Sequence, residues 1–231
     1  MAGSPRSGRA VAFVDGQNLY YAAKEAFGAA RGKPVPSELS RYEYPSFDVR
    51  ALAESTCSAK GWTLVETRFY TGMPSKDRSP FWHGFWQRKL GAMGKGGAVK
   101  VTTRPLKYRP RAFIDPGTGK LTKGSLGQEK GVDVRIALDI VSAALGGGMD
   151  VALIFSQDQD LAEAVDEAKS IAAFTRRKLW LASAFPCSDK SPNRWGIRGT
   201  ETLRIDKETY DQNCDEADYR GLPPVAPPTS P

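Results

Sequence analysis

Hydrophobic positions in this chain recur at two periods, and they alternate between them. Short aliphatic and β-branched runs, each closed by a turn signal, predict strands over residues 10–14, 63–70, 98–103, 151–155 and 178–182, with a short last one over 202–205. Helical spacing predicts helices over residues 19–27, 46–57, 79–93, 132–145 and 161–174, the second capped by Ser46 and the third carrying Pro80 in its first turn. Residues 28–45 read as a loop. Residues 104–129 hold no sustained period and are basic, which suits an irregular loop or a short hairpin. Strands alternating with helices argue for an α/β fold: a central, mostly parallel sheet with helices on both faces.

Four aspartates fall where such a sheet does chemistry. Asp15 ends Val11-Ala12-Phe13-Val14, Asp158 and Asp160 follow Val151 to Phe155, and Asp133 opens the fourth predicted helix. The carboxyl ends of parallel strands form the crevice where ligands bind. Clustered carboxylates repel one another, so convergence makes sense mainly around a divalent cation. Each acid also has a plainer explanation, because an Asp after a strand caps the next helix and an acid in a first turn suits the helix dipole.

Length and charge narrow the picture. The 231 residues suit one α/β domain with embellishment, over residues 9–219, between a flexible arm (1–8) and a disordered tail (220–231) rich in proline. No stretch approaches the ~20 apolar residues of a membrane span, and the first residues lack an apolar leader core, so the expected compartment is the cytoplasm. Three scattered cysteines argue against a disulfide framework or a zinc site. The net charge of +7 favours a polyanionic partner. An acidic centre inside a basic surround is what a nuclease needs. Phosphate-loop and dinucleotide fingerprints are both missing.

Three ordered motifs carry a resemblance. Phe13-Val14-Asp15-Gly16-Gln17-Asn18-Leu19, Lys130-Gly131-Val132-Asp133-Val134 and Ser156-Gln157-Asp158-Gln159-Asp160-Leu161 together resemble the NYN domain family, PIN-like nucleases of which LabA-like proteins are one branch. The resemblance implies a PIN-like three-layer α/β/α sandwich and a metal-dependent ribonuclease. In the last motif Gln157 and Leu161 stand where the family usually carries Gly and Phe.

On that basis Asp15, Asp133 and Asp158 are the expected metal ligands, with Asp160 as adjacent catalytic support. Their hard oxygens suit Mg²⁺ or Mn²⁺. Asn18 and Lys130 are the expected substrate-binding residues, although Asn18 also suits a local turn hydrogen bond and Lys130 a solvated surface. Asp139 falls about 120° around its helix from Asp133, outside the expected ligand set. The basic segment, interleaved with Tyr108 and Phe113, offers RNA contacts or simply a solvated loop. Phe81, Trp82, Phe85 and Trp86 form an aromatic helix face suited to core packing or a homodimer contact, with His83 among them. RNA is the expected partner, and no membrane. The alternatives are a catalytically silent NYN-fold RNA-binding or adaptor protein, motivated by Gln157 and Leu161, and a small-molecule phosphohydrolase. Against the second stands Asp15-Gly16-Gln17, which lacks an Asp-x-Asp nucleophile pair.

Overall fold

Residues Ala10 to Asp15 are all buried, as only a strand covered on both faces can be. In a computed structural model, which describes residues 7–29, 36–97, 99–114 and 119–221 without the side chains of Glu38 and Phe113, this strand is the middle of the protein. Residues 1–6 of the expected arm, 222–231 of the expected tail and 30–35 of the expected loop lie outside the described residues, as does the Phe113 side chain.

The chain runs β1 (Arg9–Asp15), α1 (Gly16–Phe27), α2 (Val49–Ala59), β2 (Thr63–Met73), α3 (Pro80–Met93) and β3 (Lys100–Pro105). It continues through β4 (Lys107–Ile114), β5 (Leu121–Gln128), α4 (Val132–Gly146), β6 (Val151–Phe155), α5 (Ala162–Phe174), β7 (Trp180–Pro186), β8 (Glu201–Ile205) and α6 (Lys207–Gln212). Six strands form one sheet in the order β3-β2-β1-β6-β7-β8, and every pairing in it is parallel. The expected α/β/α architecture is the one observed.

Alternation along β1 builds the layers. Ala10, Ala12 and Val14 join Leu19, Ala23, Leu52 and Ala53 of α1 and α2 on one face, while Val11 and Phe13 join Ile136, Ile140, Val165 and Ala168 of α4 and α5 on the other. After β1 the chain builds outward through β2 and β3, then returns to lay β6 on the opposite side of β1. The carboxyl ends of β1 and β6 therefore flank a topological switch point, where a crevice opens.

Several boundaries differ from expectation. α2 begins at Val49, with Asp48 rather than Ser46 as its cap, accepting the N–H groups of Arg50 and Ala51. Phe47 is drawn instead into a bridge with Cys214. The basic segment is a long hairpin, β4 paired antiparallel with β5 over eight residues each, apart from the main sheet. With no buried face it carries no period. β7 extends to Pro186, and α6 was not expected at all. The aromatic helix α3 packs only in part: Trp86, Leu90 and Met93 lie against the core, while Phe81 and Trp82 are exposed and its one fully buried residue is Lys89. Among the described residues no helix is long and apolar enough to cross a membrane.

Candidate functional site

Where β1 ends, the chain must turn at once into α1, and Asp15 makes that turn. Its carboxylate accepts the Asn18 N–H at 3.0 Å as the helix cap. Gly16 follows because nothing larger fits: a Cβ there would stand 2.5 Å from Phe69 Cζ and 3.0 Å from the Tyr70 carbonyl. Beyond β6, Ser156 is fully buried; its hydroxyl accepts the Asp158 N–H at 3.1 Å and lies 3.5 Å from Asp15 Oδ2. Asp158 in turn accepts the Asp160 N–H at 3.0 Å. Gly131, at φ 75°, turns the chain into α4 and sets Asp133 in its first turn.

These elements enclose a polar cleft of about 620 Å³ lined by Asp15, Asn18, Glu129, Lys130, Asp133 and Asp158, with Gln157 at its wall. Asp160 is exposed and is not part of that lining. Asp139 lies elsewhere, buried against the Tyr70 hydroxyl at 2.8 Å and ion-paired with Arg135 at 2.7 Å. His83 is also apart, with Nδ1 2.8 Å from the Pro74 carbonyl.

Glu129 is a cleft acid that sequence reading missed. Its carboxylate accepts the Gly72 N–H and stands 3.3 Å from Thr71 Oγ1. Its only sequence signal is its place directly before Lys130-Gly131. The acids sense one another. Burial, opposed by the Asn18 N–H and reinforced by the charges of Glu129 and Asp158, pushes the Asp15 carboxyl up to about 7. Burial and the charge of Asp133 raise Glu129 as well, against the hydrogen bonds from Gly72 and Thr71.

The Asn18 side chain makes a long-range bond and not a local turn bond. Its Oδ1 accepts the Gln157 N–H at 3.0 Å and so ties the first turn of α1 to the loop after β6. The Gln157 side chain bends to the far wall, where Nε2 donates to the carbonyls of Trp195 at 3.0 Å and Asn193 at 3.3 Å. Among the described residues only Arg176 holds a positive φ without being glycine, so residue 157 does not need glycine's backbone freedom. Asn18→Ala is expected to lower the melting temperature by about 3–6 °C, since a partly buried N–H loses its acceptor. An unchanged melting curve would show that this tie is not formed in solution.

The donor chemistry suits a hard divalent cation. The cleft offers oxygen ligands, and among the described residues no lysine or arginine pairs with Asp15, Glu129, Asp133 or Asp158. A buried carboxylate without a cationic partner is costly unless something positive joins it. Against this, among the described residues no three acidic, histidine or cysteine side chains already stand close enough to hold an ion. The NYN domain family model matches residues 9–173. No curated protein matches the chain.

Proposed function

The chain belongs to the NYN domain family, whose members are nuclease-like, and from that premise we propose that it is a Mg²⁺- or Mn²⁺-dependent ribonuclease. The observation that carries the reading is the buried Asp15 at the switch point, facing Asp158 and Glu129 across a polar cleft. Asp15, Asp133 and Asp158 would hold the ion, which when bound lowers the pKa of water and stabilises charge on the phosphoryl oxygens. Water would then attack phosphorus in line, forming the new P–O bond as the opposite P–O bond to the ribose oxygen breaks; the attacking water gives up one proton to solvent, and the departing ribose oxygen takes one up.

The chain's own residues have distinct tasks in this reading. Asn18 fixes the loop that carries Asp158. Asp160 acts indirectly, through the N–H that holds Asp158 Oδ1. Lys130, exposed at the cleft edge, pairs with a substrate phosphate. Single-stranded RNA incubated with Mn²⁺ should be cut, and EDTA should stop it. Intact RNA under every divalent ion tried would sink the proposal.

The β4–β5 hairpin supports an RNA substrate. Lys107, Arg109 and Arg111 alternate along β4, which puts them on one face about 7 Å apart. None has an ion-pair partner among the described residues, and β5 ends one residue before Glu129. Replacing all three with Ala is expected to weaken RNA binding in EDTA at least tenfold at low salt. It should also flatten the slope of log K against log[salt] by about 2, at roughly 0.7 per lost phosphate contact. An unchanged slope would mean the hairpin is only a solvated arm.

A second reading, a silent family member that binds RNA without cutting it, draws on the spacing of the acids, since no three are drawn together among the described residues. RNA affinity indifferent to Mn²⁺, with no product, would favour it.

A further inference from the structure

α3 carries four aromatic residues and leaves two of them exposed, Phe81 at 48% and Trp82 at 43%. Such rings are costly to leave in water unless something covers them. Behind them lies a cavity of about 280 Å³, separate in character from the acidic cleft. Its floor is Phe69 and Trp86, stacked with centroids 6.4 Å apart and planes 26° apart. Its lip is Tyr44 and Trp82, 6.4 Å apart and inclined 34°.

The cavity shares Gln17, Tyr21 and Glu129 with the acidic cleft, so the two form one continuous depression around the start of α1. A chain whose phosphodiester backbone lies in the cleft has its bases within reach of the aromatic walls. We propose that this cavity is a nucleobase subsite, which receives one unpaired base of single-stranded RNA next to the bond to be cut. The assignment rests on the ribonuclease reading and adds the class of RNA to it.

Three features select this occupant. The volume falls just below the range of small-molecule pockets, roughly 300 to 1,000 Å³, and suits one flat heterocycle. Eight of the twenty residues that line it are aromatic, and base–aromatic stacking tolerates any base because every base has a π-face. At the boundary with the cleft, the exposed Gln17 amide has no hydrogen-bond partner among the described residues, so both its donor and its acceptor can meet a base edge. A base within a duplex is stacked and paired and cannot enter, which makes loops, bulges and single strands the substrates.

The pocket wall is anchored to the body by a buried cation. Lys89 donates to Ser46 Oγ at 2.7 Å and pairs with Asp215 at 3.4 Å, so α3 is held from beneath while its aromatic face stays open.

The test measures binding in EDTA, by fluorescence anisotropy, to a labelled single-stranded octamer and to a set with one abasic site walked along it. Trp82→Ala should weaken binding of the intact octamer about tenfold, the scale of one lost stack, with Trp82→Phe restoring most of it. One abasic position should weaken wild type by a similar factor and leave Trp82→Ala unaffected. Tyr44→Ala, at a residue 62% exposed, should repeat the pattern without disturbing the core.

Unchanged affinity in both Ala variants would overturn the subsite, as would an abasic walk that is flat in wild type. A variant effect seen only in sedimentation would assign the aromatic face to a second copy of the chain and remove the base. If wild type cuts RNA with Mn²⁺ yet shows a flat walk, only the subsite falls. If wild type neither binds nor cuts RNA, the ribonuclease reading falls with it.

Discussion

Asp15→Asn should reduce RNA cleavage by about a thousandfold or more while making the metal-free protein more stable at pH 8. The two effects share one cause. Asn keeps the size of the side chain and an oxygen for the Asn18 N–H, so the helix cap survives. What disappears is a negative charge buried beside Glu129 and Asp158. For catalysis that charge is a proposed ligand for the ion, and its loss removes stabilisation made in the transition state.

For stability the sign is opposite. A carboxyl raised from 3.8 to about 7 in the folded state makes a contribution that is fully present only below 3.8 and is lost progressively as pH rises from there through about 7. By pH 8 the ionised group costs up to about 4 kcal/mol relative to an unperturbed Asp. The gain from Asn should therefore be smallest near pH 4, grow to pH 8, and reach about 5 °C or more in melting temperature. Equal melting curves for the two proteins across that range would show that Asp15 is not the buried, crowded acid described.

Apparent Mn²⁺ affinity, measured by calorimetry, is expected to rise about a hundredfold between pH 5 and pH 7 and then level off. An ion that takes Asp15 as a ligand must displace its proton, so below about 7 each unit of pH costs tenfold. Glu129 is raised as well and steepens the dependence if it takes part. One proton should leave per ion bound at pH 6, seen as a buffer-dependent heat. A flat affinity from pH 5 to 7 with no proton release would take Asp15 out of the ion's coordination.

How much of this was legible in the sequence differs from element to element. β1 and β6 announce themselves because strands buried on both faces must be continuously apolar, and each stops at a polar turn. The positions of Asp15 and Asp158 follow directly from those stops. Glu129 was invisible for the opposite reason: what holds it is the N–H of Gly72, 57 residues away, at the end of a segment with no apolar run. The hairpin hid because Pro110 and the glycines at 124 and 127 break strand propensity and no core imposes a period. α3 misled through composition. Its aromatic residues suggest one packed face, yet Trp86 packs while Phe81 and Trp82 stay exposed, and the most buried position belongs to Lys89, whose partners Ser46 and Asp215 come from distant parts of the chain. Ser46 misled in a smaller way, since a second capping residue, Asp48, stood two places on and took the role.

The placement of β7 and β8 outside β6 sets where the chain can be cut. A fragment ending at Ala173 would keep all four aspartates and most of the cleft lining, yet it would strip two of the six strands from the sheet. β6, apolar along its whole length, would become a bare edge and a template for pairing between molecules. Gln157 would also lose the carbonyls of Asn193 and Trp195, and the turn beside Asp158 would lose its outer wall. Expression fragments should therefore run past Ile205 at least: the shortest stretch that carries the acids is not the shortest stretch that can fold around them.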